Sequence, residues 1–315
     1  MNTVSDLLDR EDSIGPSTLR RLAEAWPRRA TVRTDLDAVH GRAEYDDTVP
    51  DYPVQFLPFA EHPDFLDATD EQRQLVLTLA WLVYNERVIT AEEYVANPTF
   101  AKIVHGDYPG IDRFEIQQTV QQAHVDETWH TYMHMLAMRN TRLLRRVDRE
   151  PDYPHTVTYR RLLAEHERVT ETWQRDLLTF VWATVAEVSV NAYLELMSRD
   201  ETIQPAHSLV TRLHARDESA HGPVMVEVGR ELHAHLDRRQ REFFNRAIPL
   251  ALEAFVVQDF DVWPIVIRHA GIRNAVDIVE DCRRLPGNSL LVRDFSGVRR
   301  LAHEVGAETE FEVGR

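Results

Sequence analysis

Apolar residues recur every three or four positions along most of this chain, and no stretch alternates polar and apolar residues for long enough to predict a strand. This periodicity is typical of amphipathic helices, so we predict an all-α fold. The pattern is strongest in four segments, each long enough to cross a globular core. The four predicted helices span residues 70–96, 112–147, 171–198 and 205–236.

Local signals support the ends of these helices. Asp70 is a candidate N-cap for the first helix. The Asn97-Pro98 pair predicts that this helix ends at residue 96, because proline lacks a backbone donor. Pro205 suits the first turn of the fourth helix.

Shorter elements flank the four helices. The pattern predicts a first short helix within residues 13–29, a very apolar helix over 243–260 and two shorter helices at the end. Residues 48–65 contain several prolines and too many aromatic residues for disorder, so we interpret them as an ordered wrap over the core. Because no repeat or low-complexity tract divides the chain, we predict one domain spanning residues 1–315.

The charge balance narrows the possible partners. The chain has 315 residues and a formal net charge of −16, from 36 basic and 52 acidic side chains, without a basic block. This argues against nucleic acid or an anionic membrane as a partner. The acidic N-terminus lacks a signal-peptide core, the longest apolar run (75–84) is too short to span a bilayer, and Cys282 stands alone. We therefore expect a soluble, cytoplasmic protein.

Each of the four long predicted helices carries an ionisable residue among apolar ones. Residues three or four positions apart share a helix face, so Glu92 follows Tyr84 and Val88 on one stripe. The second and fourth helices each carry a Glu-x-x-His pair, and the third carries a single glutamate. In chain order the set is Glu92, Glu127 with His130, Glu187, and Glu218 with His221.

This order of ligands is typical of di-iron and di-manganese carboxylate proteins built on ferritin-like bundles. Four carboxylates cancel the charge of two divalent ions, and each histidine adds a neutral nitrogen donor. Without a metal, four buried glutamates would need basic partners, and no arginine lies on their stripes. We therefore predict a ferritin-like four-helix bundle core with extra N- and C-terminal helices.

The stretch HARDESAH, residues 214–221, adds a third histidine to the pattern. His214 lies one turn before Glu218 on the same face, so it can bind a metal together with His221 or hydrogen-bond a ligand carboxylate. The spacing leaves both roles open. Three further histidines lie near the ligand stripes: His124, His134 and His207. Each could contact metal or substrate, but we interpret them as core residues with satisfied hydrogen bonds or as hydrogen-bond partners of the ligands.

A series of short motifs follows in order through nearly the whole chain: AWPRRA, VPDYP, PFAEHP, YNERVI, VDETWHTYMHML, VTYRRL, TIQPAHSL, RDESAH, MVEVGREL, ALEAF and LVRDFSG. In these motifs the chain resembles the non-haem di-iron N-oxygenases typified by p-aminobenzoate N-oxygenase. The resemblance implies a metal site with three histidines and four carboxylates. Carried over by motif, the implied ligands are Glu92, Glu127, His130, Glu187, His214, Glu218 and His221.

The resemblance also implies an enzyme that uses O2 and two iron ions, which cycle between Fe2+ and Fe3+. The implied reaction carries an aryl amine through hydroxylamine and nitroso stages to a nitro compound, by way of a peroxo-di-iron(III) intermediate. A homodimer and a role in nitroaryl antibiotic biosynthesis are implied as well. We add the hypothesis that the third histidine donor favours a persistent peroxide over its cleavage.

Three residues are candidates for substrate contacts. Tyr84 shares the Glu92 stripe, and Asn191 lies one turn beyond the glutamate of the third helix. Arg293 can bind a substrate carboxylate through two hydrogen bonds; alternatively it pairs with Asp294 or caps a helix. The resemblance supports all three as substrate contacts.

Electrons are expected from outside the chain or from the substrate intermediates. The sequence has no glycine-rich nucleotide-binding loop after a strand and no flavin motif, so we expect an external donor or reductase. The same ligand set leaves alternatives open: another ferritin-like di-iron oxidase, such as a hydroxylase or desaturase, or a non-enzymatic protein that oxidises and stores iron. A ribonucleotide reductase small subunit would need a tyrosine beside the metals, whereas Tyr84 lies two turns from Glu92.

Overall fold

Helices make up the regular secondary structure of the described part of the chain. The computed structural model describes residues 17–34, 45–285 and 295–307. These residues contain no strand, which confirms the predicted all-α fold. In chain order the helices are α1 (Thr18–Arg29), α2 (Pro63–Leu66), α3 (Asp70–Ala91), α4 (Asn97–Val104), α5 (Phe114–Arg145), α6 (Val157–Arg168), α7 (Thr172–Ser198), α8 (Pro205–His235), α9 (Arg238–Val256), α10 (Trp263–His269), α11 (Ala275–Arg283) and α12 (Ser296–Glu304).

The helices α3, α5, α7 and α8 form a four-helix bundle. Helix α8 packs along α7 and also against α5, and α5 packs against α3. The turn that follows α3 packs against α7 and closes the ring of contacts. The ferritin-like bundle core predicted from the ligand pattern is thereby confirmed.

Helix α7 is apolar around most of its circumference because several neighbours cover it. Besides α8, it contacts α6, α9 and α12. By length and composition it is the one described helix that could cross a membrane, but 67% of its apolar window is buried inside the protein. Burial of this kind is expected of a core helix.

A π-helical turn, Glu92–Ala96, connects α3 to α4. The N–H of Asn97 donates to the carbonyl of Glu92, five residues earlier. The prediction that the helix ends at residue 96 is therefore wrong, because the chain stays helical to Val104. Pro98 lies in the first turn of α4, where proline is tolerated. Turns of this kind are frequent at functional sites.

The segment 48–65 is ordered against the core, as predicted, and buries Tyr52, Leu57 and Phe59. It contains only a 3-10 turn at Val54–Phe56 and the start of the short helix α2. Proline lacks a backbone N–H, so the segment forms little regular structure. Its buried aromatic side chains pack it against the core instead.

Three details of the outer helices differ from prediction. The sequence pattern does not predict α6, which begins after the N-cap Thr156. Helix α9 begins at Arg238 instead of residue 243, because Asp237 and Gln240 form a capping box. Three short helices, α10 to α12, occupy the described C-terminal part where two were expected.

Candidate metal centre

Seven buried side chains from the bundle meet in its interior. They form two groups in which the ligand-capable atoms lie within 4.8 Å of one another. The first group is Glu92, His130 and His214, and the second is Glu127, Glu187, Glu218 and His221. These are the seven residues predicted as ligands, and the fold brings all of them together.

Local structure explains how these side chains reach one place. Helices α5 and α8 each present a glutamate and a histidine three residues apart, and such residues share a face. Glu92 is the first residue of the π turn. Gly222 lets α8 approach α7 closely, since a Cβ there would lie 3.3 Å from the carbonyl oxygen of Glu187.

Two carboxylates of the second group, those of Glu127 and Glu218, also face His130 of the first group. The Nδ1 atom of His130 is 3.7 Å from Glu127 Oε1 and 3.7 Å from Glu218 Oε1. The Nδ1 atom of His221 is 2.7 Å and 3.1 Å from the same two oxygens. Because both carboxylates face both histidines, they could help to hold a metal ion next to either one.

Several polar atoms that face this centre have no hydrogen-bond partner: Glu92 Oε1, His130 Nδ1, Glu187 Oε2 and Glu218 Oε2. Each unpaired buried polar atom costs about 1–3 kcal/mol, so a cluster of them is stable only with another partner. Imidazole and carboxylate donors suit iron and manganese, and four carboxylates balance two divalent ions. The residues therefore fit a di-metal centre.

Crowding of charge shifts the pKa values within the centre. Burial and the neighbouring Glu127 raise the pKa of Glu92 well above its ordinary value. Burial opposes protonation of His130 and His221, but the carboxylates around them outweigh it and raise the pKa of both rings well above the ordinary value. A cluster with this excess of carboxylates attracts cations, and metal ions compete with protons for the same atoms.

Two aspartates accept hydrogen bonds from the ring nitrogens of His130 and His221. His221 donates from Nε2 to Asp126 at 3.2 Å, and His130 donates from Nε2 to Asp217 at 3.1 Å. Each aspartate belongs to the helix opposite its histidine, so the two bonds cross between α5 and α8. With Nε2 donating to the aspartate, Nδ1 of each ring faces the centre, where a metal ion would take the place of its proton.

The N-terminal helix α1 supports both aspartates. Trp26 donates from Nε1 to Asp126 at 2.9 Å. The Arg29 guanidinium donates to Asp217 at 3.3 Å and lies 3.6 Å from Asp126. Sequence reasoning missed these roles, although an aspartate directly before the glutamate of both Glu-x-x-His pairs, Asp126 and Asp217, is a signal for them.

His214 belongs to the centre. Its Nε2 atom lies 3.5 Å from Glu92 Oε1 and 3.2 Å from Glu218 Oε1. Its Nδ1 atom lies 2.9 Å from Nε2 of His134. The geometry therefore places one nitrogen of His214 among the ligand atoms and the other against a second histidine.

Two further histidines near the ligand stripes, His207 and His124, lie outside the centre. His207 bonds to the carbonyl of Asp51 at 2.9 Å and stacks on Trp81, which is the core role expected for it. His124 is half-buried beside Phe100. These contacts place both rings outside the two groups of ligand atoms.

A cavity with an aromatic wall lies beside α3. The residues that line it include Tyr52, Tyr84, Arg87, Tyr153, Tyr193 and Trp263. The ring of Tyr84 also packs edge-on against His134, with the centroids 6.1 Å apart. Because His134 contacts His214, Tyr84 connects the cavity wall to the metal centre.

The predicted substrate contacts differ in their placement. Tyr84 lines the cavity, and its buried hydroxyl lacks a partner. Asn191 also has a buried amide oxygen without a partner but is not part of the described cavity wall. Arg293 lies outside the described residues. Sequence reasoning missed Arg87, one turn after Tyr84, which donates to the Phe255 carbonyl at 3.0 Å.

Comparisons with known proteins agree over almost the entire chain. Residues 14–306 match the family described as p-aminobenzoate N-oxygenase AurF. The chain is also 50% identical over 298 residues to the 4-aminobenzoate N-oxygenase of Streptomyces thioluteus, a match that covers 95% of this chain and 89% of that protein. The resemblance inferred from the sequence motifs is confirmed.

Proposed function

The chain belongs to the p-aminobenzoate N-oxygenase family, and on this premise we propose that it oxidises the amino group of an aryl amine with O2 at a di-iron centre. The observation that carries the proposal is the buried set of seven donor side chains with unpartnered atoms facing one another. An iron-storage protein would have no use for an aromatic cavity with an arginine beside such a centre.

In this proposal each group of side chains binds one iron ion. Glu92, His130 and His214 bind the first, and Glu127, Glu187, Glu218 and His221 bind the second. Glu127 and Glu218 face both His130 and His221, so they would be available to either ion. When bound, the two iron ions supply O2 binding and electron transfer to it.

The side chains around the metals balance their charge and exclude water. The four glutamates neutralise two Fe2+ ions, and the crossed aspartates keep His130 and His221 oriented. None of the seven proposed ligands is more than 4% exposed. A dry centre protects reactive oxygen species and partly oxidised nitrogen from water.

The name of the Streptomyces relative points to 4-aminobenzoate as a substrate. Its carboxylate needs a cation, and Arg87 supplies one in the cavity wall. Tyr84, Asn191 and Arg293 are proposed as further contacts, the first two because each has a buried polar atom without a partner. The amine is proposed to pass through hydroxylamine and nitroso stages to a nitro group.

Further parts of the proposal concern partners. Oxidation of an amine with O2 at this centre needs electrons, and an external reductase or the substrate intermediates are proposed to supply them. The functional unit is proposed to be a homodimer in the cytoplasm, acting in the biosynthesis of a nitroaryl compound. Size-exclusion chromatography with light scattering measures the oligomeric state directly.

The proposed reaction can be tested with the purified protein loaded with Fe2+. The protein is mixed with 4-aminobenzoate, a chemical reductant and 18O2, and the products are identified by mass spectrometry. We expect hydroxylamino, nitroso or nitro products that carry 18O. Oxidation of iron without any oxygenated amine would contradict the proposal and favour iron storage.

Two variants separate metal binding from substrate binding. Glu187→Ala removes a proposed ligand, so we expect loss of one iron ion per chain together with activity. Arg87→Met removes the cation from the cavity, and loss of a charged hydrogen bond of about 1.5–3 kcal/mol should raise KM roughly 10- to 150-fold. Aniline, which has no carboxylate, is the matched control substrate, and an equal effect on both amines would exclude Arg87 as the carboxylate contact.

A further inference from the structure

A line of hydrogen bonds joins the main chain of α3 to His214 through two buried side chains. Asn85 Nδ2 donates to the carbonyl of Trp81 at 2.6 Å. Asn85 Oδ1 lies 2.7 Å from His134 Nδ1, and His134 Nε2 lies 2.9 Å from His214 Nδ1. Asn85 and His134 are both fully buried, so no water competes for these contacts.

The Trp81 carbonyl at one end of this line determines which atom is the donor in each hydrogen bond. A main-chain carbonyl only accepts hydrogen bonds, so Asn85 turns its NH2 group to Trp81 and its carbonyl oxygen to His134. His134 Nδ1 must then carry the ring proton, which leaves Nε2 as an acceptor. His214 therefore donates from Nδ1, and its Nε2 faces Glu218 Oε1 at 3.2 Å and Glu92 Oε1 at 3.5 Å, the side on which a metal ion would bind.

The opposite direction would let His214 Nε2 donate to Glu218 Oε1 at 3.2 Å, but it is unfavourable at the Asn85 end for either orientation of the amide. A proton on His134 Nε2 alone would set the lone pair of Nδ1 against Asn85 Oδ1 at 2.7 Å. Rotating the Asn85 amide would instead set its oxygen against the Trp81 carbonyl at 2.6 Å. A doubly protonated His134 would be a buried cation, and within residues 45–285 no carboxylate forms an ion pair with it.

The support behind His214 differs from that behind the other two histidines. His130 and His221 donate to carboxylates, Asp217 and Asp126, which make the rings stronger donors to a metal. His214 donates to a neutral imidazole. Its orientation is therefore fixed without the added negative charge.

We propose that Asn85 and His134 are positioning residues that hold His214 in the tautomer able to bind a metal, and that they do so without the carboxylate that supports His130 and His221. The proposal rests on the metal centre proposed above. Neither residue touches the metal ions or the substrate in it. Each acts through the ring of His214.

The ring protons can be located directly in the metal-free protein. Long-range 1H–15N correlation spectra of 15N-labelled chain distinguish the two tautomers of each histidine, and His134→Gln identifies the His134 signals. We expect the proton on Nδ1 of both His134 and His214. A proton on Nε2 of His134 would overturn the proposal.

Metal binding supplies the second test, with Co2+ as a spectroscopic probe. His134→Leu removes the acceptor, whereas His134→Gln keeps a donor and an acceptor. We expect His134→Leu to weaken one of two Co2+ binding steps about 10- to 100-fold, and His134→Gln to restore most of that affinity. The control is His233→Leu. His233 lies on α8, the helix that carries His214, and its Nε2 lies 3.0 Å from Asn245 Oδ1.

The outcomes separate this proposal from the metal centre itself. Equal affinities in His134→Leu and His134→Gln would overturn it, as would an equal loss at both Co2+ steps or in His233→Leu. Failure of the unaltered chain to bind Co2+ would refute the metal centre. The ring-proton positions in the same metal-free sample would still decide the direction of the hydrogen-bond line.

Discussion

Replacing Arg29 with methionine is expected to destabilise the metal-free protein severely, although Arg29 lies outside the bundle. Its guanidinium donates to the carbonyl of Asp217 at 2.9 Å and to the carboxylate of Asp217 at 3.3 Å, and it lies 3.6 Å from Asp126. Both aspartate side chains are fully buried, and that of Arg29 is 19% exposed. The variant would leave the two buried carboxylates without the positive charge of the guanidinium.

The size of the effect follows from these contacts. Removing one partner of a buried ion pair costs about 3–5 kcal/mol. Trp26 still donates to Asp126, and the N–H of Thr31 still donates to Asp217, so the lower end of this range applies. About 3 kcal/mol corresponds to a change of more than a hundredfold, roughly, in the unfolding equilibrium constant.

Urea denaturation of the metal-free chain, followed by circular dichroism, measures this loss. Arg29→Lys keeps the charge and is expected to lose only about 1 kcal/mol, the value of one hydrogen bond. Arg28→Met is the control, because Arg28 is the exposed neighbour on α1 and should change stability by about 0.5 kcal/mol or less. A loss in Arg29→Met no larger than that of Arg28→Met would refute the reasoning.

Three further predictions concern pH, packing and metal affinity. The pKa of His130 and of His221 is raised in the fold, so the stability that these rings contribute is present below about pH 6.5 and is lost as pH rises through their pKa values in the folded chain. Urea denaturation of the metal-free chain measures this, and a midpoint that rises between about pH 6.5 and 9 would contradict it. Gly297→Ala places a Cβ 2.3 Å from a backbone carbonyl of α7 and should cost about 1–3 kcal/mol in thermal unfolding. Thr131→Val removes the 2.9 Å hydrogen bond to Glu92 Oε2 and should weaken Co2+ binding about 10-fold or more.

The bundle and six of the seven proposed ligands could be predicted because both depend on local spacing, whereas His214 was added by the family resemblance. A period of 3.6 residues places apolar side chains on one face of each helix, and the three-residue step in Glu-x-x-His places both ligands on it. The chain order of Glu92, Glu127, Glu187 and Glu218 then points to one centre. For His214 the spacing left two roles open, and the structure adds the 3.5 Å approach to Glu92.

The features that sequence reasoning missed depend on tertiary distance. The π turn after Ala91 shows no signal in the apolar pattern, and Asn97-Pro98 suggests an end where none occurs. The contacts of Arg29 with Asp217 join residues that are far apart in the chain. No periodicity contains such a pairing, because it arises only when α1 docks on α5 and α8.

The two halves of the centre follow one pattern, Asp-Glu-x-x-His, in which each aspartate holds the histidine of the other half. His214 breaks this symmetry, because the equivalent position on α5, four residues before Glu127, is Ala123. His134 breaks it again, because its equivalent on α8 is Met225. These two histidines contact each other, with His134 Nε2 2.9 Å from His214 Nδ1.

A third histidine in one half makes the two proposed metal positions chemically unlike. The ring that supports it, His134, packs against Tyr84 on the wall of the cavity. The asymmetry of the centre therefore lies on the side where the cavity approaches it. A symmetric set of six side chains would already offer donors for two metal ions, so the added pair, His214 and His134, is what distinguishes the side of the centre next to the cavity.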